Sequence, residues 1–280
     1  MSVTVQDVTY LRDGELELQA SVYTPAGSGP FPCLLDVHGG AWVRADRHSN
    51  QTLDTALAEA GFLVVAVNFR QPPAHPYPAF AIDVNFAVRW LKSHAVALGG
   101  DPTRVAILGA SSGGHIALLT AVRPFDAELA SRPETGADAA VPCVVACWAI
   151  SDPSARYAFA QQTGNARLVA SHEATFVPFT RMEEANPRLI VERGDAQRLP
   201  PVLILQGTAD NNVTPAIQAG FQRTYQAAGG QCEVAIFEGQ AHGFGNEGAE
   251  GTRLAVERIV PFLEQHIGSA VSAAGARGGS

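Results

Sequence analysis

Val105-Ala106-Ile107-Leu108-Gly109-Ala110-Ser111-Ser112-Gly113-Gly114-His115-Ile116-Ala117-Leu118-Leu119-Thr120-Ala121-Val122 is the stretch on which the fold turns. An apolar run from Val105 to Leu108 reads as a buried strand, and His115 to Val122 reads as an apolar helix. Between them Gly109-Ala110-Ser111-Ser112-Gly113 is a tight turn with Ser111 at its tip. A serine hydroxyl is a weak nucleophile, so it has to project from a sharp strand-to-helix turn toward a base. Flanking glycines let the backbone make that turn without a Cβ clash. A pentapeptide of this kind arises often by chance; the strand before it and the helix after it give it weight.

Partners for the serine lie further along the chain. Val202 to Gln206 is an apolar strand followed by Gly207-Thr208-Ala209-Asp210. Cys232 to Phe237 is another, followed by Glu238-Gly239-Gln240-Ala241-His242-Gly243-Phe244. Asp210 and His242 therefore fall just past the carboxyl ends of two late strands, the rim where open parallel α/β sheets build their sites. The order Ser, Asp, His sets the chain apart from other serine hydrolase folds. Upstream, Leu34 to Val37 runs into His38-Gly39-Gly40-Ala41-Trp42, where a glycine pair frees backbone N–H groups for a developing oxyanion. The expected catalytic set is Ser111, Asp210 and His242. Gly40, Ala41 and Ser112 are the expected oxyanion residues, with Trp42 at the substrate.

The remaining pattern is an alternation. Val3 to Tyr10 and Glu15 to Tyr23 form a hairpin about Arg12-Asp13-Gly14. Strands at 34–37, 63–68, 105–108, 144–150, 202–206 and 232–237 alternate with helices near 52–60, 79–94, 115–122, 215–228 and 252–266. This is an α/β fold with a mostly parallel sheet of about eight strands flanked by helices. A single domain over 1–267 is expected, with a flexible tail over 268–280. Only Ser151 to Pro200 lacks a clean strand, and its Tyr157, Phe159, Phe176, Phe179 and Met182 suggest a small helical cap over the serine. A surface excursion with its own satellite core is the plainer alternative.

Composition narrows the function. With 46% apolar residues in 280, the chain can bury a large core. A net charge of −8 without a basic cluster argues against nucleic acid or an anionic membrane as partner. The N-terminus lacks the apolar core of a signal peptide, and no stretch reaches the ~20 apolar residues of a membrane span. Cys33, Cys143, Cys147 and Cys232 sit in apolar runs without redox or zinc spacing, so reduced, buried thiols in a cytoplasmic protein are expected.

The chain resembles the α/β-hydrolase superfamily, and within it the hormone-sensitive-lipase-like and acetyl-esterase or feruloyl-esterase-type carboxylesterases. The resemblance covers roughly residues 15–267 and rests on four ordered blocks. They are His38-Gly39-Gly40-Ala41-Trp42; Val67-Asn68-Phe69-Arg70 with His75-Pro76-Tyr77-Pro78-Ala79; the serine turn; and Asp210 with His242. It implies an α/β-hydrolase fold with a small cap, and hydrolysis of small to medium acyl esters through an acyl-enzyme. No metal and no organic cofactor is implied. The expected partner is a small-molecule ester, and a homodimer is an assembly the sequence allows. Lipase-like members carry a third glycine where this chain has Ala41. The His-Gly-Gly-x-Trp form also resembles kynurenine formamidases, which leaves an arylformamidase or other amide or carbamate hydrolase as an alternative. A non-catalytic binding protein on the same fold is a third reading, disfavoured because all three triad members are present.

Other candidates have bland readings. Asp152 is a rival acid, His38 is expected to brace the oxyanion loop, and His115 is a packing histidine one helical turn past Ser111. His75 and Asp83 fall at positions that look architectural. Trp148 and Phe244 join Trp42 as candidates for the acyl pocket wall.

Overall fold

The computed structural model describes residues 2–133 and 135–269. The tail read over 268–280 therefore lies, from residue 270 on, outside the described residues. Eight strands form one sheet: β1 (Thr4–Asp13), β2 (Leu16–Thr24), β3 (Phe31–Val37), β4 (Leu63–Val67), β5 (Gly100–Ala110), β6 (Val144–Cys147), β7 (Val202–Gly207) and β8 (Cys232–Phe237). Their order across the sheet is β1-β2-β4-β3-β5-β6-β7-β8. β1 and β2 pair antiparallel, as do β2 and β4, and every later pairing is parallel.

Nine helices connect them among the described residues. They are α1 (Gln51–Glu59), α2 (Ala79–His94), α3 (Ser112–Val122), α4 (Pro153–Gln162), α5 (Ala166–Thr175), α6 (Arg181–Glu184), α7 (Pro187–Glu192), α8 (Pro215–Ala227) and α9 (Gly248–Ile267). None is long and apolar enough to cross a membrane.

Alternation along each strand sorts the core into two layers. Leu35, Val65, Ile107 and Ile204 face one side, with α2, α3 and α8 packed over them through Phe80, Ile116 and Phe221. Leu34, Val64, Leu108 and Leu205 face the other, covered by α1 and α9 through Leu57, Ile259 and Leu263. The central strands are buried on both faces, which explains their largely apolar runs. All four cysteines are free and buried, and burial pushes the Cys33, Cys143 and Cys232 thiols up to about 12.

Boundaries differ from the sequence reading in two informative places. α3 begins at Ser112 rather than His115, because Ser112, Gly113 and Gly114 are already its first turn. β6 stops at Cys147, because Trp148 takes a left-handed φ of 42° that bends the chain away from the sheet. Between Ser151 and Pro200 the chain is helical: α4, α5 and α7 are capped by Asp152, Asn165 and Asn186 side chains, and Pro153 and Pro187 open α4 and α7.

Candidate active site

Ser111 occupies the junction of β5 and α3 with φ 55° and ψ −115°, a strained conformation for a residue with a Cβ. The turn is held in place: the Ser111 amide donates to the Cys147 carbonyl at 2.9 Å, and the Ser111 carbonyl accepts from Ile150 at 3.0 Å. The glycines at 109 and 113 are steric requirements. A Cβ on Gly113 would lie 1.9 Å from the Val37 carbonyl oxygen, and one on Gly109 would lie 2.3 Å from the Gly113 carbonyl oxygen. Close packing of α3 on β3 and β5 is thus what the two glycines allow.

Asp210 follows β7 and is buried. Its Oδ1 accepts the amides of Asn212 at 2.8 Å and Val213 at 2.9 Å, which leaves Oδ2 aimed at His242 Nδ1, 2.8 Å away. His242 sits in the loop after β8, and its Nε2 lies 2.9 Å from Ser111 Oγ. The two loops are stitched together: Ala209 donates to the Gln240 carbonyl at 3.0 Å, and Gly239 donates to Thr208 Oγ1 at 2.8 Å. With Nδ1 facing a carboxylate, that nitrogen carries the proton, and Nε2 is left as the acceptor for the serine hydroxyl. Three side chains from three strand ends, remote in sequence, form one continuous relay.

The His38–Trp42 loop lies beside them. Gly40 has φ 105°, Ala41 φ 53° and Trp42 φ 65°, so the backbone coils left-handed. Ser112 opens α3, where an amide has no acceptor inside the helix. The Trp42 amide is taken by Ser112 Oγ at 3.0 Å, which ties the loop to the serine turn. His38 is buried, donates Nδ1–H to the Gly39 carbonyl at 2.8 Å and stacks on Phe69 at 4.3 Å. Burial pushes its imidazole down to about 4, so it stays neutral as a brace.

Trp42 corrects the sequence reading. Its side chain is wholly buried, its Nε1–H donates to His115 Nδ1 at 3.0 Å, and its ring packs edge-on against His172 and Phe176. It anchors the loop from behind and does not reach the substrate space, because the left-handed backbone at Ala41–Trp42 turns the ring inward. His115 completes this anchor by donating Nε2–H to the Ala185 carbonyl at 2.7 Å, and burial pushes its imidazole down to about 4. One neutral histidine thus joins the His38–Trp42 loop, α3 and the 151–200 segment.

A cavity of about 400 Å³ opens above the serine. Gly40, Ala41, Ser111 and His242 line it, with Trp148 on its wall and Arg156 and Leu168 from the cap segment. Phe244 is core instead, packed on Trp148 at 5.1 Å. A larger cavity of about 590 Å³ between α1 and α9 involves no residue of this relay. Asp152, the rival acid, is committed elsewhere: it caps α4 at Ala155, accepts from Asn186 at 2.8 Å and pairs with Arg188 at 3.2 Å. Asp83 is buried and clamps Arg70 and Arg132, and His75 is exposed away from the cavity.

Sequence reasoning missed two features. Arg156 on α4 is 1% exposed yet lines the cavity, with Nε and Nη2 donating to Asn212 Oδ1 at 3.0 and 2.7 Å. No local pattern marks it. Asp36 on β3 and Asp54 on α1 form a buried acidic pair. Burial pushes the Asp36 carboxyl up to about 7 and the Asp54 carboxyl well above the usual range. Asn50 donates to both Asp36 oxygens at 2.9 and 3.1 Å and accepts from Asn246, just past the His242 loop, at 2.8 Å. An aspartate inside an apolar strand was the available signal for Asp36. Among the described residues no group of three or more His, Cys, Asp or Glu side chains is arranged to hold a metal ion.

Strand order and serine turn define an α/β-hydrolase fold, with Ser111, His242 and Asp210 hydrogen-bonded in series at its carboxyl rim. The BD-FAE family profile matches residues 21–223, and the chain belongs to that family. It is 30% identical over 253 residues to the probable carboxylic ester hydrolase LipM of Mycobacterium tuberculosis, covering 86% of this chain and 57% of that protein. It is also 30% identical over 272 residues to the ethyl acetate hydrolase of Pseudomonas putida, covering 91% of this chain and 80% of that one. The chain thus spans little more than half of the first relative. Among solved structures, an esterase of Thermogutta terrifontis superposes with a TM-score of 0.76 at 22% identity, covering 96% of this chain and 94% of that one, a likeness of fold.

Proposed function

We propose that the protein is a serine hydrolase of carboxylic esters, acting through Ser111, His242 and Asp210 by way of an acyl-enzyme. The observation that carries this reading is the unbroken relay from Ser111 Oγ to His242 Nε2 at 2.9 Å and from His242 Nδ1 to Asp210 Oδ2 at 2.8 Å, set in a cavity. His242 accepts the hydroxyl proton as Ser111 Oγ attacks the ester carbonyl. Asp210 holds the imidazole in the tautomer that can accept and stabilises the imidazolium formed. The tetrahedral oxyanion is met by backbone N–H groups of Ser112 and of Gly40–Ala41. Each such donor is typically worth about 2.7–4 kcal/mol of barrier. His242 then protonates the leaving alcohol, and water repeats the cycle on the Ser111 acyl ester. Relatives named as ester hydrolases support the substrate class.

The formamidase alternative rested on Trp42, and with that ring buried behind the loop the motif says nothing about the acyl group. The test is a substrate panel. p-Nitrophenyl acetate, butyrate and decanoate are compared with N-formylkynurenine, and kcat/KM is expected to favour the esters. A strong preference for the formamide would replace the reading with the amide one.

A further inference from the structure

Arg156 is an expensive residue to bury where it lies. The residue is 1% exposed, and among the described residues no carboxylate is within ion-pair distance of its guanidinium. Asn212 Oδ1 takes Nε–H and one Nη2–H, while Nη1 is buried without a hydrogen-bond partner. The Trp42 ring, 5.7 Å from Cζ, compensates part of the charge but offers no in-plane acceptor. A buried cation with unfilled donors costs free energy unless an acceptor arrives. This one lines the same cavity as Ser111 and His242.

Two further arginines stand at the rim. Arg44 lines the serine cavity and an adjoining groove of about 380 Å³, which also takes in Ala41 and, from α5, Arg167. Both side chains are exposed and, among the described residues, without ion-pair partners. The groove floor between them is apolar, with Val43, Pro73, Ala170 and Ala174. In a chain of net charge −8, three unpaired arginines converge where substrate enters. The counter-charges are Asp210, committed to His242, and Glu247, an exposed carboxylate lining the same cavity.

We propose that this site prefers esters that carry a carboxylate, received by the Arg156 guanidinium and drawn in past Arg44 and Arg167. The inference rests on the esterase reading and narrows its substrate class. The carboxylate could belong to the acyl half or to the leaving group, and two isosteric pairs separate these. Monomethyl glutarate is compared with methyl glutaramate, and 4-acetoxybenzoate with 4-acetoxybenzamide. In each pair only the charge differs, and the readout is the kcat/KM ratio of anion to neutral amide.

In at least one pair, Arg156→Met is expected to lower that ratio about tenfold or more, as for a lost charge-assisted contact, while Arg156→Lys retains part of it. A residue that merely supports Asp210 through Asn212 would depress both members of a pair alike. The wild-type ratio should also fall with added salt, and Arg167→Gln should lower it about twofold to threefold through loss of rim attraction. If Arg156→Met does not fold, these last two measurements decide. Ratios unmoved by the substitutions and by salt in both pairs would overturn the preference while leaving an esterase. Absence of turnover on every ester would overturn the esterase reading and this inference with it.

Discussion

The rim of the sheet and the helical cap above it are built on different principles. On the rim, each group of the relay is fixed by strand ends and by backbone hydrogen bonds, as when the Asn212 and Val213 amides leave Asp210 one free oxygen for His242. In the cap, three of the four short helices are held by side-chain caps, and the segment contributes Arg156 and Leu168 to the cavity. Rigid geometry at the rim suits a reaction that tolerates no displacement. A thinner, loop-joined cover suits the selection of substrates. On the proposed esterase reading, the rim would set what is done to a bond and the cap which molecule presents it.

The contrast breaks most sharply at Asp210. Asp210→Asn should cut kcat about a thousandfold or more on every ester alike, because the amide no longer enforces the productive imidazole tautomer. An effect confined to some esters would place Asp210 among the selecting residues instead.

The acidic pair beneath the rim gives the next largest effect, on stability. Asp36 has a folded-state pKa of about 7, above its ordinary 3.8, so its favourable contribution is complete below the lower value and is lost as pH rises through the higher. Between those limits one extra proton is bound in the folded state, worth about 1.4 kcal/mol per pH unit. The stability of wild type relative to Asp36→Asn should therefore fall from pH 5 to pH 7, read by urea unfolding of both proteins. The paired comparison cancels the buried histidines, whose lowered pKa values act with the opposite sign. A difference constant across that range would mean that Asp36 is ionised in the folded protein.

A smaller effect should come from the cap. Leu168→Ala removes apolar surface from the cavity wall, and should raise the decanoate-to-butyrate ratio of kcat/KM several-fold, about 1 kcal/mol of discrimination, with kcat on acetate nearly constant. A uniform loss across chain lengths would show that Leu168 supports the rim. Asp152→Ala should do least to activity. It removes the cap of α4 and should cost about 1 kcal/mol of stability, seen as a lower Tm, with kcat within about twofold of wild type.

The same division governs what could be read from the chain. The rim was legible because its chemistry is local: an apolar strand, a small-residue turn and one functional side chain, repeated at Ser111, Asp210 and His242. α2 and β8 were legible to the residue for the same reason, since strong periodicity or β-branched runs end at clear breaks. The cap was visible only as a gap between strands, because its helices are short and held by Asp152, Asn165 and Asn186 contacts. Arg156 could not be found at all, since what holds it is Asn212 and Trp42, neither of which is near it in sequence. Trp42 was misread for a related reason. The motif marks its position after a strand, while the positive φ values at 41 and 42 decide where the ring points.

The most direct test of the central claim is covalent. The protein is treated with a fluorophosphonate ester, a mimic of the tetrahedral intermediate, and the modified peptide is identified by mass spectrometry. One adduct on Ser111 is predicted, formed slowly by His242→Ala and absent from Ser111→Ala, with ester turnover lost in step. Labelling of another residue, or full turnover by Ser111→Ala, would contradict the account.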